Sequence, residues 1–458
     1  MGIAIISQNF YDFCLDFGDM FVSHRHDNTH TAHLYMCGLI QADRSNIERM
    51  EEHVPEADYE ALQHFISNSP WDARAVVDRV ATESDAILGG TGRTGLLIDE
   101  TAFAKKGKVS VGVGRQWNGR MGKTENSQVA VFGALCAGDR VIPVDTELFL
   151  PEEWTDDKER CLKAGIPEER IVHKTKPGLA LEIVLRQREL GIRFDYVCAD
   201  GLYGNSQAFC RLLEDAEEVF LVHVHSDQHV WLEDPKPQIP PRRSNKGCAP
   251  TKPKAQSDPV RVDKIVGDLG DGDFVRLTVR NTTTGVLQVD AYRREVWVWD
   301  GEEEKARRRT LYIRRDVRSP GEIKYCLTNA PAFTPLRILA EMESQRFWVE
   351  RAFEDAKSHA GMADYQVRGW KAWNHHMALV MMTMLFMTRH RMIWRDEIPL
   401  LSCYDIKVLL AYFLPKRQNA AEEILRQMEL RHAKRKAASE NAAKRQRVEM
   451  NPESNIPK

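Results

Sequence analysis

Apolar residues in the first 85 positions recur at the spacing that places them on one face of a helix. The repeat is clearest over residues 34–40 and 59–66, and it is interrupted at Pro55 and at Ser69-Pro70. Helices of this kind bury their apolar faces against one another. The pattern predicts a compact helical module over residues 1–88. A DNA-binding role is one interpretation of its exposed arginines, and a merely solvated surface is the other.

From residue 95 the pattern changes to short, continuous apolar runs, which are typical of buried strands. One run covers residues 96–98 and ends at Asp99, and another covers 194–199 and ends at Asp200. Further strands are predicted at 109–113, 128–135, 141–149 and 219–225, and helices at 177–190 and 206–217. Three consecutive strands followed by alternating helix and strand predict an α/β core with a mixed sheet and helices packed against it.

Residues 226–265 break this alternation with charged loops that are rich in proline. Short strands are then predicted at 273–280, 286–291, 295–299 and 309–313, and helices at 346–357 and 374–390. The chain thus divides into a helical N-terminal module (1–88), a first core segment (89–225), a β-rich insertion (226–320), a second, helical core segment (321–400) and a basic helical tail (401–458).

The composition, with 43% hydrophobic and 29% charged residues, is that of an ordinary soluble protein. The net charge of −3 hides basic clusters at 242–318 and 431–447, so nucleic acid would be met by patches of the surface. Nine scattered cysteines without a C-x-x-C pair disfavour zinc ribbons and disulfide frameworks. The first residues lack the features of a signal peptide, and the longest apolar run, 377–387, is about half a membrane span. We therefore expect a cytoplasmic protein without a membrane partner.

The predicted helix at 346–357 carries three charged residues on one face. At 100° per residue, Glu350 lies about 40° round the helix from Arg346, and Lys357 lies about 20° from Arg346. An acid between two cations suits a site that handles anions and a metal ion. An i,i+4 salt bridge on a solvated face explains the same spacing equally well.

The two aspartates at the strand ends favour the first of these interpretations. If Asp99 and Asp200 lie on neighbouring strands and the helix of Glu350 packs across them, three carboxylates converge. Like charges at that distance need a cation, and hard divalent ions prefer oxygen ligands. Two Mg²⁺ ions about 3.5–4 Å apart, with Mn²⁺ as a substitute, would then activate a water or a 3′-hydroxyl for phosphodiester displacement. On spacing alone, an aspartate at a strand end is more often a cap or turn residue.

The helix block resembles a known signature. Arg346, Glu350 and Lys357 match the pattern Y-x2-R-x3-E-x6-K of the insertion sequence 4 superfamily of DDE transposases. Glu343 occupies the position of the tyrosine.

Other blocks extend the resemblance to roughly residues 30–390. Residues 97–101 (LIDET) and 197–204 (VCADGLYG) match the two aspartate blocks of these transposases. Residues 114–128 and 147–154 (ELFLPEEW) are similar to the insertion sequence 701 family.

The resemblance implies an RNase H-like core in which the β-rich segment is the usual insertion. It implies that Asp99, Asp200 and Glu350 form the catalytic triad and bind the metal ions, with Arg346 and Lys357 holding DNA phosphates. The implied partner is double-stranded DNA, as element ends and as target, bound by a homodimer. Such a protein would associate with the nucleoid through its DNA.

Three functions are compatible with this sequence. The first is a transposase that cleaves DNA at the ends of an insertion sequence and transfers the strands. The second is a decayed or host-adopted relative that binds DNA without catalysis, for which the departure at Glu343 is the supporting observation. The third is a hydrolytic nuclease of the same fold without strand transfer. The complete set of two aspartates, glutamate, arginine and lysine favours the first.

Overall fold

The computed structural model describes residues 5–23, 26–119, 121–241, 250–282, 285–319, 321–417 and 421–450. Its N-terminal part is a bundle of short helices, as predicted. The helices are α1 (Ile6–Asp16), α2 (Thr29–Gln41), α3 (Ile47–His53), α4 (Tyr59–Ser67) and α5 (Ala73–Leu88), with a small ribbon of β1 (Val22–Ser23) and β2 (His26–Asp27) between α1 and α2. Their buried apolar side chains are continuous with the core of the rest of the chain.

Short acidic side chains fix where the N-terminal helices begin. Asp58 accepts a hydrogen bond of 2.8 Å from the backbone N–H of Ala61 at the start of α4. Asp72 accepts one of 2.8 Å from the backbone N–H of Arg74 at the start of α5. Such caps satisfy backbone donors that have no partner within the helix.

The centre of the molecule is a mixed β-sheet. Its core strands are β3 (Gly95–Ala104), β4 (Gly114–Asn118), β5 (Lys123–Ala137), β6 (Arg140–Leu148), β7 (Tyr196–Ala199) and β8 (Phe220–Val224). Strands β3, β5 and β6 are antiparallel neighbours, whereas β7 runs parallel to β3 and β8 runs parallel to β7. The order β6-β5-β3-β7-β8 is that of an RNase H-like core, which confirms the predicted fold class.

Helices connect the parallel strands, as the alternating pattern predicted. They are α6 (Glu152–Thr155), α7 (Lys158–Lys163) and α8 (Lys176–Glu189) between β6 and β7, and α9 (Gly201–Gly204) and α10 (Gln207–Asp215) between β7 and β8. Thr175 caps α8 by accepting from the backbone N–H of Gly178 at 3.2 Å.

The β-rich insertion extends the core sheet instead of standing apart from it. Its elements are β9 (His229–Val230), β10 (Val260–Arg261), α11 (Val262–Gly267), β11 (Val275–Thr282), β12 (Gly285–Val298) and β13 (Arg307–Asp316), followed by β14 (Ile323–Thr328). Strand β14 pairs antiparallel with β8, so β11 to β14 continue the ladder into one ten-stranded sheet within the described part of the chain. The two strands predicted at 286–291 and 295–299 are the single strand β12.

Among the described residues, four helices follow β14: α12 (Leu336–His359), α13 (Trp370–Ile393), α14 (Cys403–Phe413) and α15 (Ala421–Met450). Helix α12 lies across β3 and β7, and α13 packs between α5 and β6. Side chains 377–388 of α13 are buried on every face of the helix, which explains its long apolar run. No helix in the described ranges combines the length and apolarity that a bilayer crossing needs.

Two strand predictions are wrong in detail. Residues 109–113 form a turn-containing connection, because Gly112 adopts a positive φ of 69° and Val111 donates its backbone N–H to Arg368 at 2.9 Å. Asp99 lies in the middle of β3 and not at its end. Strand β5 pairs with β3 over its whole length to Ala104, while β7 pairs with it only as far as Ile98.

A buried ionic cluster joins the N-terminal module to the core. Asp145 of β6 is completely inaccessible to solvent and accepts hydrogen bonds from Arg74 of α5 at 2.7 Å and from Arg186 of α8 at 2.9 and 3.0 Å. Gln187 donates a further bond of 2.8 Å. Burial opposes ionisation of Asp145, but the two guanidinium groups outweigh it and lower its pKa.

Candidate active site

The sheet register brings Asp99 and Asp200 together. Ile98 of β3 is the parallel neighbour of Ala199 of β7, and each aspartate is the next residue along its chain, with Asp99 still inside β3 and Asp200 just past the end of β7. The two backbones are therefore about one strand spacing, 4.8 Å, apart. Asp200 also caps α9, since its carboxylate accepts from the backbone N–H of Leu202 at 2.9 Å. This is the convergence of aspartates that the sequence predicted, reached at the edge where β7 stops.

Burial and mutual repulsion make both aspartates hard to ionise. Burial raises the pKa of Asp99 to about 8, the charge of Asp200 adds to the rise, and Arg346 opposes it. Burial also raises the pKa of Asp200, with the carboxylate of Glu100 contributing. A cation between two such adjacent carboxylates stabilises their ionised forms.

Arg346 of α12 lies between Asp99 and Glu350. One of its guanidinium nitrogens, Nη1, is 3.5 Å from Oδ2 of Asp99, and Nη2 donates a short hydrogen bond to Oε1 of Glu350. Burial works against the charge of Arg346, but the two carboxylates raise its pKa. A single guanidinium spans the two acids, so their carboxylates lie within roughly 8 Å of each other.

Glu350 is on the same side of α12 as Arg346, but its side chain remains 53% exposed. Within the described residues, no group of three or more histidine, cysteine, aspartate or glutamate side chains is gathered closely enough to hold a metal ion. The structure thus places the two aspartates next to each other, while the carboxylate of Glu350, the third predicted ligand, is bound to the guanidinium of Arg346.

A family model described as DDE superfamily endonuclease matches residues 16–286 of this chain. The chain belongs to this family. The match includes Asp99 and Asp200 and ends before Arg346, Glu350 and Lys357. A divalent-metal requirement follows from membership among the DDE endonucleases.

One relative of this DDE endonuclease is the probable transposase for insertion sequence element IS701 from Microchaete diplosiphon. The two are 31% identical over 176 residues, which is 38% of this chain and 42% of the relative, so the matched part is less than half of either protein.

Two solved structures are also similar at a low level. One is a piggyBac transposase synaptic complex with hairpin DNA, with a TM-score of 0.38 and 10% identity over 90% of this chain and 77% of the other. The second is the NurA nuclease from Sulfolobus solfataricus, with a TM-score of 0.25 and 9% identity over 72% of this chain and 95% of the other. The fold assignment of this DDE endonuclease rests on its strand order and not on these similarities.

Lys357, which the sequence predicted to hold phosphate in the DDE endonuclease, contacts strand β3. Its ammonium group donates to the Thr101 hydroxyl at 2.6 Å and to the Ala102 carbonyl at 3.3 Å. It also lies 5.3 Å from the centre of the Phe103 ring. Lys357 is thus fixed beside β3, two residues beyond Asp99.

Sequence reasoning missed a fourth acid at the site, Glu100. Glu100 accepts a hydrogen bond of 2.8 Å from the Tyr203 hydroxyl and one of 3.0 Å from the Lys176 ammonium group. Tyr203 stands three positions after Asp200 in a block that the sequence had already matched to the family. The adjacency of Glu100 to Asp99 and the tyrosine in that block were the available signals.

Glu343, at the tyrosine position of the signature, is buried with 3% exposure. Its carboxylate oxygens lie 2.6 Å from Nε of Arg314 on β13 and 3.2 Å from Nε2 of His223 on β8. Burial favours the neutral acid, but His223 and Arg314 outweigh it and lower the pKa of Glu343 to about 2. In this DDE endonuclease the departure from tyrosine therefore forms an ionic anchor between α12, the insertion and the core.

Proposed function

We propose that this chain is a DNA transposase that cuts phosphodiester bonds at the ends of an insertion sequence and joins the freed strands to target DNA. The observation that carries the proposal is the side-by-side placement of Asp99 and Asp200 on adjacent parallel strands of an RNase H-like sheet. Membership of the DDE superfamily endonucleases and the likeness to the IS701 transposase support the same function.

The site fits hard divalent cations, and we infer Mg²⁺ with Mn²⁺ as a substitute. Asp99 and Asp200 present oxygen ligands, and burial has raised the pKa of both, so a bound cation would stabilise their ionised forms. Glu350 would become the third ligand after its carboxylate leaves the guanidinium of Arg346. Bound in this way, the metal supplies Lewis acidity toward a phosphodiester and lowers the pKa of an attacking water or 3′-hydroxyl.

The remaining side chains position the acids and the DNA. Arg346, released from Glu350, has a planar fork that matches two phosphate oxygens, while Lys357 adds a point charge beside β3. Glu100, held by Tyr203 and Lys176, adds a third negative charge near the aspartates and orients the loop after β7. We expect a homodimer on DNA, because two element ends must be cut.

The test is cleavage of a supercoiled plasmid that carries the reading frame with its own flanking DNA, in Mg²⁺ and in EDTA. Asp99→Ala, Asp200→Ala and Glu350→Ala should each abolish cleavage and leave DNA binding in a mobility assay largely intact. Near-normal cleavage by any one of them would remove that residue from the triad. Nicked products that never join a supplied target would instead identify a hydrolytic nuclease.

A second candidate, a DNA-binding relative without catalysis, is favoured by one contact. The Glu350 carboxylate is paired with Arg346 and remains half exposed, away from the paired aspartates. Under this alternative, DNA binds with normal affinity and no nick appears in Mg²⁺ or Mn²⁺. Metal-dependent nicking by the unmodified chain would exclude it.

A further inference from the structure

A wide polar groove of about 810 Å³ lies between the N-terminal helices and the segment that follows β3. One wall comes from residues 45–48 and from α4, and the other from residues 105–110 and 365–369. The groove is separate from the triad, and neither the family match nor the signature assigns a role to it.

Two of the three cations that line this groove have no acidic partner among the described residues. Lys106 and Arg368 are exposed on its rim, and no carboxylate of the described residues lies within 4.0 Å of either. Lys105 forms part of the floor, where it donates to the Tyr365 carbonyl at 3.3 Å. Burial lowers the pKa of Lys105 to about 8, with Asp364 opposing, so Lys105 is still protonated at neutral pH. Glu48 lines the groove and Asp364 interacts with Lys105, so the three cations still outnumber the acids near them.

Many arginines elsewhere in the described chain form ion pairs, although not all do. Arg307 contacts Glu303, Glu214 and Asp215, and Arg309 contacts Glu214 as well. The groove gathers three cations on one concave surface with fewer acids, and this excess of positive charge suits an anionic ligand.

The chemistry of the walls suits phosphate better than bases. Stacking needs an open aromatic face, but Tyr365 is buried under Lys105, whose ammonium group is 3.4 Å from the ring centre. Tyr59 has one face covered by Lys434 at 3.8 Å. Amide side chains that can donate to phosphate oxygens line the same walls, namely Asn46, Gln63 and Gln366.

The groove begins where the catalytic strand ends. Lys105 directly follows β3 and stands six residues after Asp99. Since side chains alternate between the two faces of a strand, Lys105 continues the face that carries Thr101 and Phe103. Six residues of extended chain span about 20 Å. That distance equals roughly six base pairs of duplex.

We propose that this groove binds the sugar-phosphate backbone of duplex DNA roughly six base pairs from the phosphate that reacts. Lys106 and Arg368 neutralise phosphates at the rim, Lys105 adds charge from the floor, and the amides donate hydrogen bonds. The inference rests on the proposed function only in requiring a DNA substrate. It adds a contact that fixes how the duplex lies across the helical module.

The test compares the full chain with the double variant Lys106→Ala/Arg368→Ala in binding a fluorescent 30-base-pair duplex by anisotropy. Loss of two phosphate contacts should reduce the slope of log affinity against log salt by about 1.8. The ratio of the Kd of the double variant to the Kd of the unmodified chain should therefore be about tenfold smaller at 200 mM salt than at 50 mM salt. The single variant Arg368→Gln should reduce the slope by about half as much.

A control variant of equal charge change, Lys252→Ala/Lys254→Ala, alters two exposed lysines of the insertion. If both double variants have the salt slope of the unmodified chain, or if they lower it equally, the groove is not a specific backbone site and the proposal is overturned. The outcome is independent of catalysis. Asp99→Ala should keep the full salt slope while losing cleavage, so failure of the triad and failure of the groove are separately visible.

Discussion

Replacing Glu343 with alanine should impair catalysis through the position of α12. The substitution removes the carboxylate that lies 2.6 Å from Arg314 and 3.2 Å from His223, and it leaves a buried guanidinium without a partner. Breaking a buried pair on one side costs about 3–5 kcal/mol. Because Glu343 is one turn before Arg346 on the same helix, a shift of about 1 Å there can reduce the rate of DNA cleavage about 100-fold.

Asp145→Ala provides a matched comparison. It also removes a buried carboxylate, but Arg74 keeps Asp78 at 2.8 Å and Arg186 keeps Glu147 at 2.9 Å, so its loss of stability should not exceed about 3–5 kcal/mol. It lies on β6, with β5 between it and β3, and its partners are on α5 and α8 and not on α12. We therefore expect normal cleavage by the folded fraction of Asp145→Ala and reduced cleavage by that of Glu343→Ala.

The assay measures initial cleavage rates at a temperature well below both unfolding midpoints, with stability taken from urea titration. Glu343→Gln keeps the shape of the side chain and should recover part of the rate. Equal cleavage rates for the two alanine variants would refute the anchoring role, whether both were normal or both reduced. Full activity of Glu343→Ala, once folded, would show that α12 is held in place without this cluster.

Three further outcomes follow from the site. In EDTA, the midpoint temperature of thermal unfolding should fall as the pH is raised from 5 to 8. Asp99 and Asp200 have raised pKa values in the folded chain, so the folded chain binds more protons than the unfolded chain in this range. The folded chain therefore loses stability as the pH rises. Asp99→Asn should flatten that fall. Tyr203→Phe removes the donor to Glu100 and should cost about 1.5–3 kcal/mol of stability, read by urea titration, with DNA affinity unchanged. Arg346→Lys keeps the charge but loses the fork, so plasmid cleavage should slow by about tenfold or more while the mobility shift persists.

Each of these outcomes has a clear opposite. A midpoint that rises with pH in EDTA would mean that the paired aspartates are already ionised in the folded chain. Unchanged stability in Tyr203→Phe would mean that water replaces the hydroxyl at Glu100. Wild-type cleavage by Arg346→Lys would reduce the role of the guanidinium to charge alone.

The sequence was sufficient for the parts that depend on local pattern. Continuous apolar runs identified β3 and β7, and the alternation of helix and strand predicted a mixed sheet with helices against it, while the RNase H-like order was implied by the family resemblance. The aspartates could be placed at one edge because neighbouring parallel strands bring their carboxyl ends together. The length of β3 beyond Asp99 was not predictable, since it depends on pairing with β5, a partner that the local sequence does not reveal.

Long-range ionic contacts were also beyond the sequence. Nothing local indicates that Glu343 meets Arg314, or that Arg346 bridges Asp99 and Glu350, because these partners come from separate elements. The helix stripe correctly predicted that Arg346 and Glu350 are neighbours. The stripe had two interpretations, a salt bridge and a site beside the aspartates. Arg346 fits both, because it pairs with Glu350 and also contacts Asp99.

The continuous hydrogen-bonded ladder from β8 through β14 has a consequence for dissecting this protein. Without β14, which joins the insertion to β8, that strand would present unpaired backbone N–H and C=O groups, the kind of border that recruits strands from other molecules. A shortened version lacking residues 226–330 is therefore expected to aggregate, and the catalytic half cannot be obtained simply by trimming.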